Sequence, residues 1–322
     1  MNRTCKGFLW IAALCALTGC GKTDRLEEEI AKIEVELKVK RFDRDFANSS
    51  PEELPELKAA YPYLFPMQFS DSIWTQKMRD TLQQEISAEV EKAFPDLEET
   101  VAELRSLFQH ICYYFPGFRP PEIVTVISDV DYRNRMIYAD SLLLISLDTY
   151  LGESHYFYEN LPGYLKKDLT RDRIAVDAAL EIVKRKIPYP QSRTFLAQMV
   201  FYGKLLYVTD LLLPFKTDAE KIGYTAEEWA WAGNNEAEIW RYFVERNLLF
   251  STNPTLRERF TAPAPFSKFY LDLDKESPGQ LGRYLGWKIV RAYMKNNTVS
   301  LPQLLSIAAE DIFTASRFKP EK

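Results

Sequence analysis

The stretch IVTVISDVDYRNRMIYADSLLLISL, residues 123–147, decides the fold class of this chain. Its two ends, Ile123 to Ile127 and Leu142 to Leu147, are short, apolar and partly β-branched, which predicts two buried strands. The polar residues between them indicate a turn and a returning strand. Upstream, apolar and charged residues alternate strictly from Ile33 to Lys40, and this period of two predicts a further, half-buried strand. We therefore expect a small sheet in the N-terminal half.

The remainder of the chain has the pattern of helices. Five apolar residues recur at every fourth position and predict one amphipathic helix: Trp74, Met78, Leu82, Ile86 and Val90. Similar patterns predict a short helix opened by Pro51 and longer helices over residues 97–111, 173–186, 195–213, 225–232, 235–248, 279–296 and 301–313. The chain shows no internal repeat and no Gly/Ser-rich linker. The predicted fold class is α+β, mostly α-helical with a small β-sheet in the N-terminal half.

The first twenty residues, MNRTCKGFLWIAALCALTGC, have the pattern of a secretory signal. Arg3 and Lys6 come before the apolar run from Gly7 to Leu17. That run is too short to cross a bilayer, which needs about 20 apolar residues.

The end of this segment is more specific. Leu17-Thr18-Gly19-Cys20 resembles the bacterial lipobox, in which the cysteine is lipidated and becomes the first residue of the mature protein. We therefore expect residues 1–19 to be a lipoprotein signal peptide, residues 20–32 a lipidated cysteine with a tether, and residues 33–322 a single globular domain. The predicted partner of Cys20 is a membrane, held through two or three acyl chains. The alternative is an ordinary signal peptide that happens to contain a cysteine.

Composition narrows the class of protein. The chain has 322 residues and a formal net charge of -5 with both signs mixed, which gives no reason to expect nucleic-acid binding. After removal of the signal and acylation of Cys20, Cys112 is the one cysteine left, so the mature protein cannot form an intramolecular disulfide. We find no second apolar stretch of membrane-spanning length, and expect everything after the anchor to be soluble.

The sequence holds no motif that predicts catalysis. Its 2 histidines, His110 and His155, have no nearby cysteines and make a poor zinc site. The stretch Asp272-x-Asp274-x-Glu276 begins like a calcium loop, but Ser277 replaces the required glycine and Arg283 the closing glutamate. Neither a G-x-S-x-G elbow nor a phosphate-binding P-loop is present. We therefore expect no catalytic residue, no cofactor and no metal.

Three further patterns are only weak evidence for a functional site. Asp129-x-Asp131 is followed by Arg133, which does not suit a calcium loop. Gly279, Gly282 and Gly286 lack dinucleotide-binding spacing and predict a smooth helix face that another backbone approaches closely. Aromatic residues beside prolines fill a large core, or they form an exposed platform for peptide or sugar: Tyr61, Tyr113, Phe115 and Phe118.

Sequence blocks follow one another over nearly the whole mature chain. They are RFDRDF from Arg41, YPYLFP from Tyr61, FPDL from Phe94, YYFPGFRPPEIVTVISDVDY, YADSLLLISLDTYLG, FLAQMVFYGKLLYVTDLLLP, NEAEIWRYFVERNLLFSTN and APFSKFYLDLDKESPGQLGRYLGWKIVRAYM. Together they resemble the GldB family of gliding-motility lipoproteins. The resemblance implies a non-enzymatic lipoprotein required for gliding, with protein partners in the motility and secretion apparatus. It implies a place in the cell envelope, which we expect to be the periplasmic side of the outer membrane rather than the inner membrane.

A second resemblance, to gluzincin-like metallopeptidases, rests on the order of elements and a G-x-x-x-G-x-x-I-V-x-x-Y helix. In that comparison residues 173–186 stand where the metal-binding helix would be, with Asp177 and Glu181 on one face. A zinc peptidase needs two imidazoles and a glutamate base there. This resemblance therefore implies an inactive scaffold, and the alternative function is a metallopeptidase-like domain reused to bind glycan or peptide.

Overall fold

The computed structural model describes residues 20–321, so the predicted signal peptide, residues 1–19, lies outside the described residues. Its strands are β1 (Val39–Lys40), β2 (Glu122–Val126), β3 (Met136–Ala139) and β4 (Leu142–Ser146). Its helices are α1 (Cys20–Ala31), α2 (Phe42–Asn48), α3 (Leu54–Ala60), α4 (Asp71–Arg79), α5 (Thr81–Ala93), α6 (Glu98–Tyr114), α7 (Gly163–Lys166), α8 (Ile174–Lys184), α9 (Phe195–Leu212), α10 (Asp218–Ile222), α11 (Ala226–Asn234), α12 (Glu236–Glu245), α13 (Thr255–Phe260), α14 (Leu281–Asn296), α15 (Leu301–Ser306) and α16 (Ala309–Ser316).

The strands form one mixed sheet in the order β1-β2-β4-β3. Strands β1, β2 and β4 are parallel, and β3 returns antiparallel to β4 at the edge, as the turn between the two apolar runs predicts. The register pairs Val124 of β2 and Ile137 of β3 with Leu144 of β4. The predicted class, mostly helical with a small sheet in the N-terminal half, is confirmed.

The first predicted strand is mostly wrong. Burial does alternate from Ile33 to Lys38, with Val35 buried between exposed glutamates, but only Val39 and Lys40 pair with a neighbouring strand. The backbone carbonyls that precede β1 accept hydrogen bonds from side chains of α6. Gln109 Nε2 donates to Ile33 O at 2.9 Å, and Arg105 Nη1 donates to Val35 O at 2.6 Å. The alternation of buried and exposed residues therefore results from packing against α6. Side chains of that helix bind the carbonyl groups that a neighbouring strand would otherwise bind.

Two predicted helices are each split in two. The pattern from Trp74 to Val90 spans α4 and α5, which are separated at Asp80, whose ψ is 126°. The Asp80 carboxylate accepts the backbone N–H of Gln83 at 2.9 Å, so it caps the start of α5 and stops α4 from continuing. The prediction over residues 301–313 likewise spans α15 and α16, separated at extended Ile307, whose ψ is 139°.

The sheet lies between two apolar clusters. Ile123, Leu143 and Ile145 contribute to the larger cluster, which holds most of the buried residues of the helices that follow the sheet. Val124 contributes to a smaller cluster on the other face, built with residues of α2 and α3. Both faces of the sheet are thus covered, as the apolar runs require.

Helices α9 and α14 cross closely at the centre of the larger cluster. A Cβ atom on Gly286 would overlap the backbone carbonyl of Met199, and one on Gly203 would overlap the carbonyl of Gly286. The predicted close approach of a second backbone is therefore confirmed, and Gly203 supplies the matching gap on the other helix.

Helix α9 is long and apolar enough to cross a membrane by length and composition, with a mean hydropathy of 1.2. The expectation of no second apolar stretch of membrane-spanning length is therefore wrong by this criterion. However, 72% of the helix is buried inside the protein, and the helix contains Lys204 and Asp210. A central core helix meets the same criterion, and α9 has that place in the fold.

Candidate functional site

The carboxyl ends of strands β1 and β2 lie next to a cleft between helices α2 and α5. Its volume is about 540 Å³, and Met78 of α4 lines one end. We call it the α2/α5 cleft and define it by Asp43, Phe46 and Ala47 of α2 and by Gln83, Ala88 and Glu91 of α5. The edge at which parallel strands end is a common position for ligands in sheets of this kind.

Asp43 fixes α2 over the sheet edge and is 5% exposed. Its carboxylate accepts hydrogen bonds from Arg41 Nε at 3.0 Å and Arg41 Nη2 at 2.7 Å. The hydroxyl of Thr125, in β2, donates to the same carboxylate. A buried carboxylate is stable only when its charge is paired and its lone pairs are bonded, and both conditions hold here.

A second ion pair crosses the rim of the cleft. Arg44 of α2 donates to Glu91 of α5 through Nε at 2.5 Å and through Nη2 at 2.6 Å. The fork geometry of the guanidinium orients both helices, although an exposed pair adds little to stability. Both carboxylates of the cleft, Asp43 and Glu91, are therefore engaged by arginines.

Two buried polar atoms beside the cleft lack a hydrogen-bond partner among the described residues. Gln83 is 6% exposed, and its Oε1 atom has no hydrogen-bond partner in residues 20–321. The same is true of Nε1 of Trp74, in α4. Both side chains line a smaller cavity of about 60 Å³, which shares Asp43, Phe46 and Gln83 with the cleft. A buried polar group without a partner costs about 1–3 kcal/mol, so these two atoms favour a hydrogen-bonding group in this smaller cavity.

The carboxylate of Asp177 on α8 is surrounded by hydrogen-bond donors. It accepts hydrogen bonds from Arg135 Nη2 at 3.0 Å, Arg173 Nε at 3.1 Å and the Tyr150 hydroxyl at 2.9 Å. Burial alone would lower the pKa of Arg135, but the Asp177 charge raises it above the usual range. Two guanidinium groups thus already compensate the Asp177 charge that a metal ion would otherwise balance.

Glu181, the other candidate on α8, takes no part in that cluster. Its side chain is 37% exposed and lies 3.4 Å from Lys184 on the same helix. Within residues 20–321, no group of three or more His, Cys, Asp or Glu side chains is placed to hold a metal ion. The structure therefore brings neither residue to a metal site.

The remaining acidic motifs have structural partners. The Asp274 carboxylate accepts the backbone N–H groups of Phe269 at 3.0 Å, Tyr270 at 2.8 Å and Leu271 at 3.2 Å, and so closes a turn. Asp129 forms an ion pair with Lys77 at 2.9 Å.

The four aromatic residues considered for an exposed platform are buried or half-buried. Tyr61 is 4% exposed. Tyr113, Phe115 and Phe118 are half-buried, and the Lys186 ammonium covers the last two rings at 4.9 Å and 5.4 Å from their centroids. These four residues do not form the open platform that a glycan- or peptide-binding loop needs.

The segment expected as a tether forms helix α1, which begins at Cys20. Its last turns dock on α6, where Ile30 is 1% exposed and Glu27 Oε2 lies 3.1 Å from His110 Nε2. Gln109 Nε2 also donates to Ala31 O at 3.1 Å. His110 therefore holds α1 in place, while His155 pairs with Glu89 at 3.2 Å.

Sequence reasoning missed the α2/α5 cleft. Asp43 lies three residues after the end of β1, and a polar residue just past the end of a strand was an available signal for that side of the cleft. The prediction of a long first strand placed that end correctly but attached no role to it. Gln83 carries no such signal, because its burial depends on how α5 packs on the sheet edge.

A comparison with protein-family models places the chain in a family. The model described as gliding motility protein GldB matches residues 23–320, so the chain belongs to this family of gliding-motility lipoproteins of the cell envelope. No curated protein and no solved structure matches it. The resemblance to GldB is thereby confirmed, while the resemblance to gluzincin-like peptidases has no support from a solved structure.

Proposed function

We propose that this member of the GldB family is a non-enzymatic assembly component of the gliding-motility apparatus. Lipid on Cys20 holds it to the membrane, and the α2/α5 cleft binds a polypeptide segment of another component of the apparatus. The membrane we assign is the outer membrane, on its periplasmic side. The family match supports the link to motility.

The pairing of charges in the cleft is the observation that carries the proposal. General acid–base catalysis needs a carboxyl or imidazole that is free to exchange a proton with substrate. In the cleft, Asp43 and Glu91 are instead held by Arg41 and Arg44. This arrangement supports binding over chemistry.

The unused atoms favour a polypeptide as the occupant. Gln83 Oε1 is an acceptor and Trp74 Nε1–H is a donor, and both lack a partner in the described chain. A backbone N–H of the segment complements the Gln83 acceptor, since Gln83 lines the cleft as well as the smaller cavity. Phe46 and Met78 add apolar surface for a side chain of the segment.

The anchor helix supports a role that depends on position. Helix α1 has 12 residues, which at about 1.5 Å per residue gives a length of about 18 Å between the lipidated end and the docked end. Because Ile30 and Glu27 attach α1 to α6, we expect a limited range of distances and orientations between domain and membrane.

The test fills the cleft without removing any of its contacts. Ala88 is exposed on α5 and lines the cleft, so the indole ring in Ala88→Trp occupies the volume in which the polypeptide segment would bind. Ala230→Trp, on an exposed position of α11, is the matched control. We expect cells with Ala88→Trp to lose most gliding and cells with Ala230→Trp to glide normally, at equal protein abundance. Normal gliding with Ala88→Trp would contradict the proposal.

A further inference from the structure

A second cavity lies on the far side of the larger apolar cluster, at the point where α15 and α16 are separated. Its volume is about 450 Å³, within the usual range for small-molecule sites. Its wall combines the loop that follows α8 with one face of α9 and the segment between α15 and α16. Apolar side chains dominate that wall, among them Ile187, Val200, Phe201 and Leu305.

One ammonium group lines this cavity. Lys204 of α9 is 7% exposed, and its Nζ donates to Leu305 O at 3.0 Å and to Ile307 O at 2.7 Å. An ammonium carries three N–H donors, so one remains after these two bonds. No carboxylate in residues 20–321 forms an ion pair with Lys204.

The contrast with the other buried lysines makes this arrangement specific. Lys216 and Lys221 are 7% and 5% exposed, but each has a carboxylate partner, Glu103 at 2.7 Å and Asp210 at 3.2 Å. A buried charge without a counter-ion is costly, and a bound anion would remove that cost. Burial lowers the pKa of Lys204 to about 8, so the amine is still mostly charged at neutral pH.

We infer that this cavity binds a molecule or chain end that carries one carboxylate on an apolar body. The carboxylate accepts the free N–H of Lys204, and the apolar body covers Val200, Phe201 and Leu305. A free alkanoic acid and the C-terminus of a polypeptide share this chemistry. The site is separate from the α2/α5 cleft and does not depend on what that cleft binds.

The other ionisable groups at the cavity set the expected pH dependence. Glu310 of α16 and Tyr189 of the loop are the titratable side chains that line it besides Lys204. Glu310 is half-buried and would repel a carboxylate weakly, while Tyr189 is exposed. Affinity for a carboxylate should therefore fall as pH rises above 8, because the ammonium loses its proton.

The test uses the chain from residue 20 onward with Cys20→Ser, so that no acyl chain of its own competes. Calorimetric titrations at pH 7 compare decanoate with decanamide, and the peptide acetyl-Ala-Leu-Val-Phe with its C-terminal amide. We expect at least one acid to bind at a single site, tenfold or more tighter than its neutral counterpart. Tight decanoate binding identifies a free alkanoic acid, and tight binding of the peptide acid alone identifies a chain end.

Three variants link that binding to the cavity. Lys204→Met should abolish the preference for the acid, whereas Lys295→Met, at an exposed position of α14, should not change it. Glu310→Gln leaves every Lys204 contact intact and should raise affinity for the acid a few-fold. Glu310→Gln therefore still tests the inference if Lys204→Met disturbs the fold. Equal affinity for both acids and their amides, or no effect of Glu310→Gln on an acid that binds, would overturn the inference.

Discussion

The close crossing of α9 and α14 allows a stability prediction with its own control. In Gly286→Ala the new methyl group would overlap the Met199 carbonyl, which is backbone and cannot rotate away. The two helices must therefore separate by roughly 1 Å. Overpacking of a tight core costs about 1–3 kcal/mol and sometimes more, and two main-chain segments must move here.

Helix propensity works in the opposite direction. Alanine is better than glycine inside a helix by about 1 kcal/mol. We take the upper end of the overpacking cost, about 3 kcal/mol, because backbone must move. The net expectation is that Gly286→Ala lowers the free energy of unfolding by about 2 kcal/mol.

Gly233 is the matched control, because it also lies in a helix but has nothing within 4 Å of an added Cβ. Gly233→Ala should leave stability unchanged or raise it by up to about 1 kcal/mol. Urea unfolding followed by circular dichroism compares the midpoints of both variants with the parent chain. Equal midpoints for Gly286→Ala and Gly233→Ala would refute the close crossing and the core built on it.

Three further predictions concern charged residues. Asp177→Ala leaves two largely buried arginines without this counter-charge and should cost about 3–5 kcal/mol in urea unfolding, while Glu181→Ala, at a partly exposed position, should cost under about 0.5 kcal/mol. Asp80→Ala removes the cap of α5 and should cost about 1 kcal/mol, with Asp80→Asn close to the parent in the same assay. Lys204 has a folded pKa of about 8 against 10.5 unfolded, so the unfolded chain holds the proton more tightly. The free energy of unfolding, relative to that of Lys204→Met, should then rise by about 3 kcal/mol between pH 8 and pH 10.5. A difference that does not change with pH would contradict this prediction.

Much of the fold was predictable because the signals are local. The apolar runs at Ile123 and Leu142 give strands β2 and β4, since a buried parallel strand is apolar on both faces. The helical spacing of apolar residues gives most of the longer helices, and the glycines of α14 indicate a close neighbour. These features depend on periods that a single stretch of sequence contains.

The wrong predictions concern segments whose structure depends on residues far away in the sequence. Ile33 to Lys38 alternates like a strand, yet side chains of α6, 70 and 76 residues away in the chain, donate hydrogen bonds to its carbonyls. The Lys204 ammonium binds carbonyls at Leu305 and Ile307, where the last predicted helix is split. Patterns within a segment carry no information about such partners.

The α2/α5 cleft was hidden for the same reason. Asp43 and Gln83 are far apart in the chain, and nothing in either segment shows that Gln83 becomes buried without a partner. The paired state of Asp177 was equally invisible, because Arg135 and Tyr150 come from the sheet region. The expectation of a lipidated Cys20 differs in kind, because it rests on adjacent residues alone.

Photocrosslinking in living cells tests the central claim most directly. A benzoyl-phenylalanine is placed at position 88 in the α2/α5 cleft of the lipidated protein, and at position 230 as the control. Irradiated cells are solubilised, and adducts of the protein are purified and identified by mass spectrometry. We expect position 88, and not position 230, to capture a component of the motility or secretion apparatus, and to lose that adduct when Cys20→Ala removes the anchor. Absence of a protein adduct from position 88, or an adduct that does not depend on Cys20, would contradict an anchored assembly component that binds through this cleft.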